Sequence, residues 1–194
     1  MNRWYPILLN VGLYYALWTL AVLGMGTPWW WIAPALVVPC AIYQLRWSPA
    51  PRSEAIVIII GAAAGASFDV LSNALGLFRS ASPSRVEFIL VFFTLWINFG
   101  TTLRPCLRWM WGWPVVAAVF GGIGAPLTYW VAARLGAITP VESHWRAFAW
   151  CAVQYAIALP IWMLAASAFI PGSHESTHRA TSPASPPTLG RSTS

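Results

Sequence analysis

Six runs of apolar residues fill most of the chain and constrain its fold more than any other feature. A helix needs about 20 largely apolar residues to cross a hydrocarbon core of about 30 Å. The runs have roughly that length and occupy Trp4–Leu23, Trp30–Leu45, Ala55–Leu77, Val86–Leu103, Pro114–Ala133 and Trp145–Ile170. They predict an all-α fold, a polytopic transmembrane bundle of about six membrane-spanning helices.

Charged residues are scarce, which excludes several classes of protein. They make up 8% of the 194 residues, whereas soluble domains carry about a quarter. The net charge of +6 comes from Arg residues that stand singly or in pairs at the ends of the apolar runs. A nucleic-acid surface would gather its positive charge on one face, so no nucleic acid is expected as a partner. Membrane lipids are the expected partner instead.

The distribution of Trp and Arg predicts how the chain is oriented. Trp rings prefer the membrane–water interface, and most of the 14 Trp residues stand at or just outside the predicted span ends. With a cytoplasmic N-terminus, the Arg residues on the inner side outnumber those on the outer side: Arg3, Arg46, Arg52, Arg104, Arg108 and Arg179 against Arg79, Arg85, Arg134 and Arg146. The positive-inside rule therefore favours cytoplasmic N- and C-termini.

The composition changes near the C-terminus. Residues 1–171 are expected to form the transmembrane domain, and the Ser-, Thr- and Pro-rich residues 172–194 a disordered tail, because they cannot bury enough apolar surface. The three Cys residues form no C-x-x-C pair and have no His at metal-ligand spacing. Neither a metal site nor a cofactor is predicted, and no internal repeat is evident.

The third span carries the most informative polar pattern. Gly61, Gly65, Asp69 and Asn73 follow one another at four-residue spacing, which places them on one helix face. Small residues allow close helix packing, and an ionisable residue inside a span is a candidate functional group. Asp69 is the only acidic residue well inside a span. The alternative is that it joins helices by hydrogen bonds.

Two further spans bring polar groups to the depth of Asp69. The fifth span carries Tyr129 and then Arg134 beyond a group of small or helix-weakening residues, and the sixth span carries Gln154. We predict an outward-facing polar pocket lined by Asp69, Asn73, Tyr129 and Gln154, with Arg134 or Arg79 at its mouth. The alternative is a set of unrelated interhelical hydrogen bonds. The predicted helix-packing residues are Gly61, Gly65, Gly121, Gly122, Gly124 and Pro126.

Three segments of the chain resemble a known family. They are GASFDVLSNALGLF at 65–78, FGTTLRPCLRWM at 99–110 and GGIGAPLTYWVAARLG at 121–136. The chain resembles, up to about Ile170, a family of small bacterial multi-pass inner-membrane proteins of unknown function. Asp69, Pro126, Tyr129 and Arg134 match its pattern, whereas Arg104, Pro105 and Cys106 replace a triplet that often contains His. The family's genes often lie near genes for proteins similar to cyclopropane fatty-acid synthases. The resemblance thus implies a link to membrane-lipid modification, with a lipid-modifying enzyme as a partner.

Three functions agree with these features. The favoured one is a non-catalytic component that binds lipid or a partner protein, because no catalytic motif is recognised. The first alternative is a small transporter or permease, which the intramembrane carboxylate supports. The second alternative is a membrane-embedded lipid-modifying enzyme that uses Asp69 and Tyr129 for proton transfer.

Overall fold

The apolar runs form helices throughout the computed structural model, which describes residues 5–141 and 144–170. Within these residues six α-helices follow one another: α1 (Tyr5–Gly24), α2 (Ile32–Leu45), α3 (Pro51–Ala74), α4 (Arg85–Gly100), α5 (Pro114–Arg134) and α6 (His144–Phe169). A 3-10 turn covers Arg108–Met110. Two short strands, β1 (Phe78–Ser80) and β2 (Ile138–Pro140), form an antiparallel pair. The predicted helical class is confirmed, and the predicted tail lies outside the described residues.

Among the described residues, four helices are long and apolar enough to cross a membrane. These candidate spans are Ile7–Gly24, Pro51–Ala74, Pro114–Arg134 and Trp145–Phe169. The other two helices are shorter, with 14 residues in α2 and 16 in α4. By helix length and apolar character, the structure therefore has four candidate spans, whereas the sequence predicts six.

Local chemistry explains where α3 begins and ends, since both ends differ from the prediction of Ala55–Leu77. Pro51 begins the helix. Proline is suited to this position because the first N–H groups of a helix make no intrahelical hydrogen bond, and proline has no N–H. At the other end Gly76 has a φ of 70°, which closes the helix early. The N–H groups of Gly76 and Leu77 donate to the carbonyls of Asn73 and Ser72, both at 3.0 Å. This pair of bonds is a Schellman cap.

The end of α5 repeats that of α3, which reveals a local two-fold relation. Gly136 has a φ of 82°, and the N–H groups of Gly136 and Ala137 donate to the carbonyls of Ala133 and Ala132. Each cap leads into a strand, and the strands pair through Arg79 opposite Thr139. The flanking bonds are equivalent under the same relation, from Ala81 N to Ala137 O and from Val141 N to Leu77 O. The ends of α3 and α5 therefore lie on the same side of the bundle.

The helices pack around α4 and α6. The most extensive pairings are α5 with α6 and α3 with α4, while α4 also contacts α1 and α2, and α3 contacts α6. Buried side chains form one apolar cluster near the paired strands, around Phe78, Phe88 and Phe92. A second cluster lies at the opposite end, around Leu103, Met110 and Trp162.

Two buried carboxylates attach loops to the ends of the bundle. Glu54, 3% exposed in the first turn of α3, pairs with Arg104 Nε at 2.9 Å in the segment after α4. Glu87, 3% exposed in the first turn of α4, accepts a 2.7 Å hydrogen bond from Gly26 N in the α1–α2 turn. The α1–α2 turn is thereby held at the same end of the bundle as the paired strands, because α4 begins there.

Candidate functional site

Asp69 is the centre of a hydrogen-bond network that joins three helices. Its side chain on α3 is 4% exposed. Trp96 Nε1 on α4 donates to Asp69 Oδ2 at 2.6 Å, and the Tyr129 hydroxyl on α5 donates to Asp69 Oδ1. Each carboxylate oxygen therefore accepts one hydrogen bond from a neighbouring helix. Hydrogen bonds of this kind satisfy a carboxylate that has been removed from water.

The glycines of α3 make room for the indole ring that reaches Asp69. A Cβ added at Gly65 would lie 2.1 Å from Trp96 Cδ2, so only a residue without a side chain fits beneath this ring. A Cβ at Gly61 would lie 2.0 Å from Trp162 Cε2, and the Trp162 N–H donates to Val57 O at 3.0 Å. The small residues of α3 thus admit aromatic side chains from neighbouring helices.

A second phenol extends the network into α6. The hydroxyls of Tyr155 and Tyr129 are 3.4 Å apart. The Tyr155 ring also stacks on Trp96, with centroids 5.0 Å apart and an interplanar angle of 21°. Aromatic residues of α4, α5 and α6 therefore surround the carboxylate of Asp69, and Trp96 and Tyr129 direct their polar edges towards it.

The local two-fold relation explains why Asp69 and Tyr129 meet. They are 60 residues apart, the same separation as Arg79 and Thr139 at the centre of the strand pair. Each stands six residues before the Leu that precedes the capping Gly, Leu75 in α3 and Leu135 in α5. Equivalent positions on the two helices lie at equal depth, so the long side chain of Tyr129 can reach Asp69.

The other three predicted site residues have separate environments. Asn73 is exposed and donates from Nδ2 to Phe78 O at 2.9 Å, which holds β1 to the end of α3. Gln154 accepts a 3.2 Å hydrogen bond from Ser72 Oγ and so joins α6 to α3. Arg134 is exposed, and its guanidinium carbon lies 5.2 Å from the centroid of the Trp130 ring. Of the five residues, Asp69 and Tyr129 are the pair in direct hydrogen-bond contact.

A large cavity, here named the α1–α5 cavity, lies beside this network. Its volume is about 470 Å³. Apolar side chains of α1 and α5 form two of its walls, and α4 and α6 contribute the aromatic residues between them. Its lining along α1 extends from Val11 to Met25, about 21 Å by the helical rise. Asp69, Tyr129 and Tyr155 place polar atoms in this mostly apolar lining.

The predicted pocket and the α1–α5 cavity differ in composition. Asp69 and Tyr129 belong to both, but within the described part of the chain the cavity lining does not include Asn73, Gln154 or Arg134. Aromatic residues such as Trp18 and Phe92 line the cavity instead. The geometry therefore describes an apolar cavity with one polar wall, where the sequence predicts a polar pocket.

The predicted helix-packing residues of α5 have three different surroundings. A Cβ at Gly121 would lie 2.4 Å from the carbonyl oxygen of Tyr155, so this glycine permits the close approach of α6. A Cβ at Gly122 would lie at an ordinary 3.5 Å from Ala156. At Gly124, which lines the cavity, a Cβ would meet no described atom within 4 Å. The helix continues through Pro126.

Comparison with known proteins identifies a family but no activity. Searches among curated proteins and among solved structures find no match to this chain. Residues 7–161 match the profile of a family described as "Protein of unknown function (DUF2878)". The match covers most of the chain, including α2 to α5 and the network around Asp69, and it confirms the resemblance to an uncharacterised family. The chain therefore belongs to the DUF2878 family of proteins of unknown function.

Proposed function

We propose that this protein spans the membrane six times and binds one elongated apolar molecule, a lipid chain, in the α1–α5 cavity. The observation that carries the proposal is the cavity itself, with its volume of about 470 Å³ and its mostly apolar lining. Ligand sites typically have volumes of about 300–1,000 Å³, with few polar groups among apolar ones. A non-catalytic role agrees with the engagement of both Asp69 oxygens by Trp96 and Tyr129.

The shape of the cavity supports a chain-like ligand. The lining follows α1 over about 21 Å, which is about two thirds of a hydrocarbon core of about 30 Å. A chain lying along the helices would have the same direction as the acyl chains of the bilayer. Such a chain could pass from the bilayer into the cavity without exposing its methylene groups to water, because both surroundings are apolar. Membrane lipids are therefore the proposed partners.

Chain direction supports membrane crossing by the two short helices. The candidate spans α3 and α5 both end at the paired strands, so α4 has to return the chain to the opposite side between them. The bond from Gly26 to Glu87 holds the end of α1 on the strand side, so α2 has to return the chain to the start of α3. At about 21 and 24 Å, α2 and α4 are compatible with a locally thinned bilayer.

The proposed localisation and orientation of the protein rest on features of its sequence. A bacterial inner membrane with cytoplasmic N- and C-termini is part of the proposal, supported by the Arg distribution and by the family resemblance. A membrane-associated lipid-modifying enzyme is the proposed protein partner. Reporters of cytoplasmic location fused to both ends decide the orientation.

A photoactivatable fatty acid tests both the cavity and the six spans. After illumination in membranes and peptide mapping, we expect label on the buried cavity residues Val22 and Ala125. Label is also expected on the exposed residues Ile42 of α2 and Leu90 of α4, which would face the bilayer. Label on exposed residues without label at Val22 and Ala125 contradicts binding in the cavity. Absence of label on α2 and α4 contradicts the six-span arrangement.

One observation favours a transporter as a second candidate. The cavity lining reaches Met25 and Ile138 beside the paired strands, and Cys106 and Leu107 at the other end of the bundle. A molecule in this cavity would therefore lie near the loops at both ends. Binding alone accounts for the same lining and requires no movement of helices, so we favour it. Uptake by reconstituted vesicles separates the two.

A further inference from the structure

Among the described residues that line it, the α1–α5 cavity has one acidic group and no basic group. Asp69 lines the cavity, whereas the lining residues in the described ranges include no Arg, Lys or His. The nearest partners of its carboxylate are the neutral donors of Trp96 and Tyr129. An ionised Asp69 would therefore give the cavity a negative charge that the surrounding protein does not neutralise.

The carboxylate retains the capacity to bind a ligand. An ionised carboxylate has about four lone-pair positions, and the two hydrogen bonds occupy one on each oxygen. Neutral donors satisfy the geometry of a buried carboxylate but leave its charge unpaired, so such a group either takes up a proton or pairs with a cation. A positively charged group on the bound molecule would supply that cation.

The rings around Asp69 favour the same kind of ligand. Trp96 and Tyr155 are stacked, and the Tyr129 ring centroid lies 6.0 Å from that of Tyr155 at 77°. All three residues line the cavity. The faces of aromatic rings attract cations, and clusters of such rings recognise quaternary ammonium groups. The Trp96 ring lies between Gly65 and Tyr155. The rings that can offer a face to a cation are therefore those of Tyr129 and Tyr155. Charge and ring geometry therefore point to one chemistry.

We infer that the molecule bound in the α1–α5 cavity carries an ammonium group on its apolar chain, and that Asp69 is its counter-ion. This inference rests on the proposed function and specifies the class of ligand. The apolar chain lies along α1 and α5, and the ammonium group contacts the Asp69 carboxylate and the rings of Tyr129 and Tyr155. The source is either an amino lipid of the bilayer or a free cationic amphiphile.

The inference predicts that the affinity for an ammonium ligand depends on pH through the protonation of Asp69. The titratable residues that face Asp69 are Tyr129 on α5 and Tyr155 and Cys151 on α6, with Trp96 of α4 not titrating. Phenols and thiols ordinarily titrate above about pH 8. Protonation of Asp69 removes the counter-charge, so the affinity for an ammonium ligand falls as the pH is lowered. A neutral ligand with the same chain shows no such fall.

Matched probes test the inference on the full-length protein in an uncharged glycoside detergent. We would measure the binding of dodecyltrimethylammonium, dodecyl sulfate and dodecanol, which share a chain and differ in charge. The ammonium compound is expected to bind at least about tenfold more tightly than the alcohol, and the sulfate more weakly than either. In Asp69→Asn the preference for ammonium is lost while the alcohol still binds.

The controls separate this inference from the proposed function. Alcohol binding by Asp69→Asn reports an intact cavity; if this variant does not fold, the pH series on the unsubstituted protein gives the same comparison. Equal binding of all three probes at every pH overturns the inference and leaves the proposed function in place. Binding of none of them overturns both. Competition by phosphatidylethanolamine identifies an amino lipid as the source, and failure to compete identifies a free amphiphile.

Discussion

Replacement of Asp69 by Ala is expected to lower the free energy of unfolding by about 2–4 kcal/mol. The change leaves the Trp96 indole N–H and the Tyr129 hydroxyl without the acceptor that they share. A buried donor without a partner costs about 1–3 kcal/mol, and hydrogen bonds between membrane helices are typically worth about 0.6–2 kcal/mol. Denaturant titration of the purified protein in mixed micelles measures the effect.

Two variants on α3 control for this result. Asp69→Asn keeps one carbonyl acceptor in place and is expected to lose about half as much stability. Ser67→Ala removes an exposed hydroxyl that bonds to its own helix at Ala63 O, and we expect no measurable change. If Asp69→Ala were as stable as Ser67→Ala, the network would not hold the three helices together.

Gly121→Ala is expected to destabilise the protein by about 1–3 kcal/mol, whereas Gly122→Ala is expected to be neutral or stabilising. The new methyl group at Gly121 would lie 2.4 Å from the Tyr155 carbonyl oxygen and 2.9 Å from its carbonyl carbon, so α5 and α6 have to move apart. At Gly122 the nearest atom is 3.5 Å away. There the better helix propensity of Ala, up to about 1 kcal/mol, can be realised.

The two glycine variants are a matched pair because they are adjacent on α5 and acquire the same methyl group. Thermal unfolding in detergent, followed by loss of secondary structure, ranks them. Equal stabilities would mean that α6 does not approach Gly121 closely. A stable Gly121→Ala beside a destabilised Gly122→Ala would reverse the assignment of the helix face.

Helical class was predictable because it depends on local properties that the sequence carries directly. Apolar runs near the length of a bilayer crossing, interrupted at Pro51 and near Gly76, leave few alternatives to a helix bundle. The capping position of Gly76 was available from the sequence as well, but the apolar Leu77 that follows it extended the predicted span. The proposed crossing by α2 and α4 rests on loop contacts, which hydropathy does not report.

The sequence predicts the depth of the site residues in the bundle, but not the side of each helix on which their side chains lie. Counting residues along α3 and α5 brings Asp69 and Tyr129 to one level, and their equivalent positions before Leu75 and Leu135 explain that result. The same counting groups Gln154 with them, although its partner is Ser72. Which side of a helix meets which neighbour depends on packing angles that a single sequence leaves open.

Two missed features had signals in the sequence. Trp96 stands inside a predicted span, away from the interface that Trp prefers, where its N–H needs a hydrogen-bond partner. Four other Trp residues share this placement, so the signal does not single out Trp96. The Leu-Gly pairs at Leu75 and Leu135 end two helices and recur at the separation of Asp69 and Tyr129. Aligning the chain with itself at that separation therefore brings the two capping glycines, and with them Asp69 and Tyr129, to equivalent positions.

The central claim, that the α1–α5 cavity holds an apolar chain, is tested most directly by filling the cavity. Gly124→Leu places a side chain in the cavity, where a Cβ meets no described atom within 4 Å. Gly12→Leu is the matched control, because this exposed residue of α1 also has no described neighbour within 4 Å and does not line the cavity. Native mass spectrometry of the purified proteins measures how much co-purified lipid each retains. The account predicts a bound lipid in the unsubstituted protein and in Gly12→Leu, and its loss from folded Gly124→Leu. Equal retention by the two variants would contradict binding in this cavity.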